Sequence, residues 1–209
     1  GRTATNWSYF EITGDADQVI SANITGAANA DQGGIFIYNS TGTLTLSPGT
    51  TSTSAFDGNT LMNSRNQINK GTVIFNGSTG GGAWRNDGFV SVGAGATLQI
   101  DAAETTNIGL MKNASLVLNA NYTQNGNTNP IFGGQITGTG SMTLNGNVTN
   151  RFYNTSNTFS GGLNLNRGLA HFVTAGSLGT GTITLASAAS SEAENQLLQY
   201  VGLGTGTVT

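Results

Sequence analysis

The chain of 209 residues lacks several features that would define other classes of protein. It has no cysteine, two prolines, one histidine, and only seven basic and ten acidic residues. Without cysteine there are no disulfides and no thiolate metal sites. A long secreted repeat without cysteine also carries no bridge that could obstruct a narrow secretion pore, which weakly favours bacterial secretion.

Charge and hydrophobic runs exclude two further classes of function. The seven basic residues are scattered along a chain of net charge −3, so there is no basic stripe for nucleic acid. No apolar run approaches the ~18 to 20 residues of a membrane-spanning helix. The alternating segments are also shorter and less aromatic than the ~9 to 11-residue strands of a membrane barrel.

What the chain has in abundance is turn and strand formers. It contains 32 glycines, with asparagine, threonine and serine between short runs of alternating polarity. Glycine and asparagine suit tight turns, whereas threonine, valine, isoleucine and phenylalanine favour strands. Disorder is the competing interpretation, but the low net charge and the recurring period-two pattern favour a folded chain.

One sequence segment occurs twice, with the two copies 25 residues apart. The segment Leu178-Gly-Thr-Gly-Thr-Ile-Thr184 returns as Leu203-Gly-Thr-Gly-Thr-Val-Thr209. A period in the twenties with short alternating strands is typical of a stacked solenoid. We therefore predict an all-β fold, a right-handed parallel β-helix (β-solenoid) forming one elongated domain over 1–209, as a segment of a longer protein. Rungs of ~20 to 30 residues stacked ~4.8 Å apart would give roughly seven to ten rungs.

The alternation also predicts the individual strands. They are Tyr9–Thr13, Val19–Ile24, Ile35–Tyr38, Thr43–Leu46, Thr72–Phe75, Phe89–Val92, Thr97–Ile100, Ser115–Leu118, Gln135–Thr137, Met142–Leu144, Gly162–Leu165, Leu169–Val173, Thr182–Leu185 and Leu197–Val201. Residues 48–70 are predicted to be a loop excursion, and 186–196 a short helix on the flank of the rod. An apolar spine is expected from Leu44/Leu46, Leu98/Ile100, Leu116/Leu118, Met142/Leu144 and Ile183/Leu185. Asparagine ladders between rungs are expected at the Asn119 to Asn121 and Asn145 to Asn147 turns.

Four segments resemble a known repeat. They are Ser141-Met-Thr-Leu144, Asn157-Thr-Phe-Ser-Gly-Gly162, Arg167-Gly-Leu169 and Gly176-Ser-Leu-Gly-Thr-Gly-Thr-Ile-Thr-Leu185. The series resembles the autotransporter-associated β-strand repeat, also called the passenger-associated transport repeat. The resemblance implies a right-handed parallel β-helix in a bacterial surface adhesin or autotransporter passenger. In that family the repeat is a structural unit without known catalytic residues.

Few residues are candidates for a site. Trp84 beside Arg85 is a possible surface contact, and the final Thr205, Gly206, Thr207, Val208 and Thr209 are a possible edge for end-to-end assembly. No cofactor is expected. Calcium held by turn residues Asp15, Asp17 and Asp31 is a minority interpretation, and His171 has no nearby second ligand for a transition metal.

The function expected is structural. The chain is expected to be an extracellular or cell-surface segment whose stacked rungs act as a spacer or present other parts of the protein, and it is not expected to be an enzyme. The partners expected are neighbouring repeats, further copies of the chain, or a host or cell-surface glycan or protein. The alternatives are a carbohydrate-active β-helix (a polysaccharide lyase, hydrolase or tailspike-like depolymerase) and a sugar-binding module. A hydrolase would need carboxylate pairs such as Asp15/Asp17, Asp101/Glu104 or Glu192/Glu194 to converge on one face.

Overall fold

The computed structural model describes residues 8–21, 34–47, 66–77, 89–124, 126, 129–185 and 196–202. These residues form nineteen short strands and a single 3-10 turn, Ala175–Leu178. In chain order the strands are β1 Ser8–Ile12, β2 Gln18–Ile20, β3 Gly34–Tyr38, β4 Thr43–Leu46, β5 Asn66–Ile68, β6 Thr72–Phe75, β7 Phe89–Val92, β8 Thr97–Ile100, β9 Glu104–Leu110, β10 Ser115–Leu118, β11 Tyr122–Gln124, β12 Ile131–Phe132, β13 Gln135–Gly138, β14 Met142–Leu144, β15 Thr149–Phe152, β16 Leu163–Leu165, β17 Gly168–Phe172, β18 Ile183–Leu185 and β19 Gln196–Tyr200.

Every strand pairing among these residues is parallel, and the strands fall on three faces. The first face is β1, β3, β5, β7, β9, β12, β15, β17 and β19, and the second is β2, β4, β6, β8, β10 and β13. The third face is β9, β11, β14, β16 and β18. The seven-residue β9 joins two faces, since its first half pairs with β11 and its second half with β7.

Each passage of the chain through these faces is one rung, and consecutive rungs stack in register. Phe89 pairs with Asn107 and Ile37 with Gln67, residues 18 and 30 positions further along the chain. The predicted all-β class with parallel strands is thereby confirmed, and the stacking is consistent with a β-solenoid.

One inner column runs through nine successive rungs of the first face. Its members are paired one to the next: Ile12, Tyr38, Ile68, Val92, Leu110, Phe132, Phe152, Phe172 and Tyr200. All but Tyr200 are buried, and the rings of Phe132 and Phe152 stack with centroids 4.9 Å apart. The second face adds a buried column of Leu44, Val73, Leu98, Leu116 and Ile136.

Most of the predicted spine lies in such columns. Leu44/Leu46, Leu98/Ile100, Leu116/Leu118 and Met142/Leu144 are buried as predicted. The prediction is wrong for Ile183 and Leu185, which are 41% and 54% exposed. They stand in register with Leu163 and Leu165, but β18 pairs with no further strand in the described part of the chain, so one side of each is open.

All fourteen predicted strands correspond to described strands, but five described strands were not predicted: β5, β9, β11, β12 and β15. Four of these turn a polar residue inward, namely Asn66, Thr106, Gln124 and Asn150, all with no exposed surface. The alternation of polar and apolar residues is absent there, so the sequence gives no strand signal. The fifth, β12, has only two residues.

The predicted loop 48–70 and the predicted helix 186–196 overlap the described residues only at their C-terminal ends. The predicted excursion 48–70 is wrong at its end, because Asn66–Ile68 is β5 and pairs with β3 and β7. The rest, 48–65, lies outside the described residues, as does 186–195 of the predicted helix; Gln196 begins β19. No helix of the described part is long and apolar enough to cross a membrane.

The aromatic member of the inner column gives the first prediction. Replacing Phe152 by alanine leaves a cavity between Phe132 and Phe172, so we expect the free energy of unfolding to fall by about 3–5 kcal/mol. Urea unfolding followed by circular dichroism measures it. Thr137→Ala, on the outer side of β13, is the matched truncation and should cost less than about 1 kcal/mol. Equal losses in the two variants would show that the column is not the core.

Candidate functional site

The residues of the repeat-like segments make contacts between rungs. Asn157 is buried, and its Oδ1 accepts a hydrogen bond from the Ile136 N–H at 2.8 Å. Its Nδ2 donates to the Ser177 carbonyl at 2.6 Å. One buried side chain therefore satisfies backbone groups on the rung below and on the rung above. Phe159, two residues later, is fully buried in the core.

Three glycines of these segments are required by their backbone. Gly162 has φ +97°, Gly168 has φ +77° and Gly179 has φ +81°, all in the region that favours glycine. A Cβ on Gly162 would lie 2.6 Å from the Thr182 carbonyl, and one on Gly179 would lie 2.7 Å from the Phe159 ring. The glycines thus allow adjacent rungs to approach closely. In the described structure these motif residues act as packing and turn elements.

Polar side chains also link successive rungs at the turns. Asn39 Nδ2 donates to the Glu11 carboxylate at 2.5 Å, and Asn69 Nδ2 donates to Asn39 Oδ1 at 2.8 Å. Asn121 Oδ1 accepts from the Ser141 hydroxyl at 3.0 Å, and Asn119 Nδ2 donates to Asp101 at 2.8 Å. The ladder predicted at Asn119 to Asn121 is therefore made with Asp101 and Ser141 rather than between asparagines.

A polar cluster occupies the interior where β9 passes from the third face to the first. It consists of Glu104, Thr106, Asn107, Tyr122 and Gln124, all buried. Gln124 Oε1 accepts from the Ile108 N–H at 3.0 Å and from the Tyr122 hydroxyl, and Gln124 Nε2 donates to Asn107 Oδ1 at 3.4 Å. The Tyr122 hydroxyl also lies 3.1 Å from the Thr106 carbonyl.

The cluster holds a phenol that resists ionisation. Burial raises the pKa of Tyr122 well above its ordinary 10.0, and the nearby Glu104 carboxylate raises this pKa further, while the Ile108 N–H opposes them. Tyr122 is therefore a neutral hydrogen-bond donor at physiological pH. Of this cluster the sequence pointed only to Glu104, as a candidate partner of Asp101. Tyr122 and Gln124 stand in strand β11, which the alternation did not predict.

The acidic candidates are engaged in local structure. Asp15 accepts from the Thr41 hydroxyl and Asp17 from the Thr43 N–H, each at 2.7 Å, so both carboxylates bind the following rung. Asp101 accepts from Gln99 Nε2 at 2.9 Å as well as from Asn119. Across the described ranges no three His, Asp or Glu side chains are grouped so as to hold a metal ion. Asp31, Glu192 and Glu194 lie outside these ranges.

The remaining candidates divide between the surface and the undescribed residues. Trp84 and Arg85, and the assembly edge Thr205, Gly206, Thr207, Val208 and Thr209, lie outside the described residues. His171 points outward from β17, half-buried, between Arg151 and Gln199 of the neighbouring rungs. Comparisons of the chain with protein-family models, with curated proteins and with solved structures gave no match.

Asn157 yields the second prediction. Asn157→Ala leaves the Ile136 N–H and the Ser177 carbonyl buried without partners, which costs about 1–3 kcal/mol for each group. We expect a loss of about 2–5 kcal/mol in urea unfolding. The matched control is Asn154→Ala, where the lost bond is a short-range one to the exposed Ser156 N–H. Similar stability for both variants would contradict the role assigned to Asn157.

Tyr122 yields the third prediction. Its folded-state pKa is raised, so its stabilising contribution is complete below pH 10 and is lost as pH rises towards that pKa, by up to about 1.4 kcal/mol per unit. Tyr122→Phe should be less stable by about 1–2 kcal/mol at pH 8, and the deficit should shrink by about 1 kcal/mol at pH 11. Urea midpoints between these pH values measure it.

The control for that experiment is Thr137→Ala, which removes no titratable group. Its difference in stability from the unmodified chain should stay constant over the same range of pH. A Tyr122→Phe deficit that does not change between pH 8 and pH 11 would show that the phenol ionises equally in the folded and unfolded chain.

Proposed function

We propose that this chain is a structural, extracellular segment of a bacterial surface adhesin or autotransporter passenger, or of a self-assembling surface fibre. It acts as a rod that extends from the cell and presents whatever is attached to it, because each rung offers a parallel sheet edge on which the next rung stacks. The observation that carries the proposal is the nine-member inner column, in which one side chain per rung continues the core along the stacking direction. Such a core has no fixed length and can be lengthened by repetition.

The handedness and family membership belong to the same proposal. Connections between parallel strands of one sheet are right-handed in nearly all proteins, so we propose a right-handed β-helix. The resemblance to the autotransporter-associated β-strand repeat agrees with the role of Asn157, Gly162 and Gly179, whose contacts join rungs. The absence of cysteine supports passage through a secretion pore.

The ends of the described stack support assembly with further rungs. Ile183 and Leu185 continue the inner columns of the third face and are exposed, and Phe10 at the first rung is 38% exposed. Apolar side chains and unpaired strand edges at the ends of a stack favour addition of another rung. That rung belongs either to the same protein or to a further copy. None of the described carboxylates favours the carbohydrate-active alternative. Asp15, Asp17, Asp101 and Glu11 are bound within the fold, and Glu104, the candidate partner of Asp101, is buried.

The stacking of rungs fixes the length of the rod, and this length gives the fourth prediction. Nine rungs spaced about 4.8 Å apart occupy about 40 Å. A tandem fusion of two copies should therefore give straight rods about 40 Å longer than the single chain, by electron microscopy or small-angle X-ray scattering. Fibres that lengthen with concentration would favour a fibre subunit, and discrete rods a spacer. Two compact particles joined by a flexible link would contradict stacking.

Location needs its own test. The chain can be placed between a secretory signal and an outer-membrane translocating barrel, and whole cells then probed with antibody and external protease. We expect antibody binding at the cell surface and cleavage by the added protease. Retention in the periplasm would contradict the role as a translocated surface segment.

A further inference from the structure

The outer side of the first face carries a column of residues in register over nine rungs. Its members are Glu11, Ile37, Gln67, Ser91, Gly109, Ile131, Arg151, His171 and Gln199. The step from Gly109 to Ile131 follows from the pairing of their neighbours Leu110 and Phe132. These residues alternate with the inner column along each strand, so they lie on the outer side of the face. Gly109 is buried there, because the Phe89 ring lies over it.

The seven members from Glu11 to Arg151 are self-complementary about Ser91, and His171 and Gln199 extend the column beyond them. Three rungs before Ser91 stands Glu11 and three rungs after it Arg151. Two rungs before it stands Ile37 and two rungs after it Ile131. A two-fold axis through Ser91, parallel to the strands, would therefore place carboxylate against guanidinium and isoleucine against isoleucine, twice each. An isologous contact between two copies requires this kind of arrangement, in which residue i meets j and j meets i.

The same surface exposes the large side chains that are common at protein interfaces. Tyr9 is 65% exposed, Met111 57%, Ile131 48% and Tyr153 46%. All four lie on the outer side of the first face or directly after its strands. Aromatic residues, methionine and arginine are enriched in interfaces. By contrast, one outward column of the second face consists of Thr43, Thr72, Thr97, Ser115 and Gln135.

The two charged members of the column are placed for an intermolecular pair. The Glu11 carboxylate is exposed and is positioned by Asn39 Nδ2 at 2.5 Å. Arg151 is half-buried, and its guanidinium has no hydrogen bond or ion pair within the described residues. A half-buried arginine without a partner gains most from a carboxylate that arrives with an apolar surface around it.

We propose that the outer side of the first face is a docking surface for a second copy of this chain. The two copies lie face to face with their rung order reversed, Glu11 of each against Arg151 of the other and Ile37 against Ile131. The contact spans six rung intervals, about 29 Å along the stack. It is lateral and closed, and so is independent of the end-to-end stacking proposed above.

A charge exchange tests the pairing. Analytical ultracentrifugation of the unmodified chain, from about 1 µM to about 500 µM, should show a monomer–dimer equilibrium. Arg151→Glu and Glu11→Arg should each weaken dimerisation at least about tenfold, because like charges then face each other. The double variant Glu11→Arg/Arg151→Glu restores opposite charges and should dimerise within about threefold of the unmodified chain.

The control matches the change in charge. Lys70→Glu alters an exposed cation in the turn after β5, outside the column, and should leave the dimer unchanged. Circular dichroism of each variant verifies that the fold is intact. A strictly monomeric chain at every concentration would overturn the proposal, and so would a double variant no better than the single ones. An open series of oligomers that Arg151→Glu does not affect would likewise overturn it, since such growth is end-to-end.

Discussion

The structure depends on one constraint: each strand must pair in parallel register with the strand one rung away. Side chains in register along a parallel sheet stack into columns, so a single register error would turn a whole column to the other side of the sheet. The inner column from Ile12 to Tyr200 shows how completely the register is kept, because its nine members come from segments separated by 18 to 30 residues. Loops of different length between the strands are tolerated because the buried side chains of the inner columns set the register.

Polar groups inside the stack take part in this register. Asn157 binds backbone groups of the rungs on both sides, and Gln124 draws together Ile108, Asn107 and Tyr122. Buried polar groups are costly unless paired, so these side chains favour one alignment of rungs over its neighbours. Not every buried polar atom is paired. Asn66 Nδ2 and Asn150 Oδ1 inside the stack, and His171 Nε2 on its outer side, have no hydrogen-bond partner in the described structure.

The outer surfaces follow from the same geometry. Because inner columns are fixed in register, outer columns are fixed as well, and a stack presents rows of side chains at constant spacing. One outer row of the second face is largely hydroxyls, whereas the outer row of the first face contains Glu11, two isoleucines and Arg151 and continues to Gln199. A row that contains a carboxylate and a guanidinium differs chemically from a row of threonines, and the proposed contact between two copies rests on this difference.

The sequence by itself determined the class of the fold, because period-two alternation and glycine- and asparagine-rich turns depend only on local backbone preferences and on which side chains are apolar. All fourteen predicted strands and most of the predicted spine followed from that pattern. Tertiary structure alone decided the strands with polar inward residues, such as β5, β11 and β15, since Asn66, Gln124 and Asn150 enter the interior through partners up to 30 residues away. It also decided which residues share a column, because register is a relation between distant rungs. The pairing of Glu11 with Ile37, and of Ile131 with Arg151, is therefore a property of the stack that no single segment of the chain encodes.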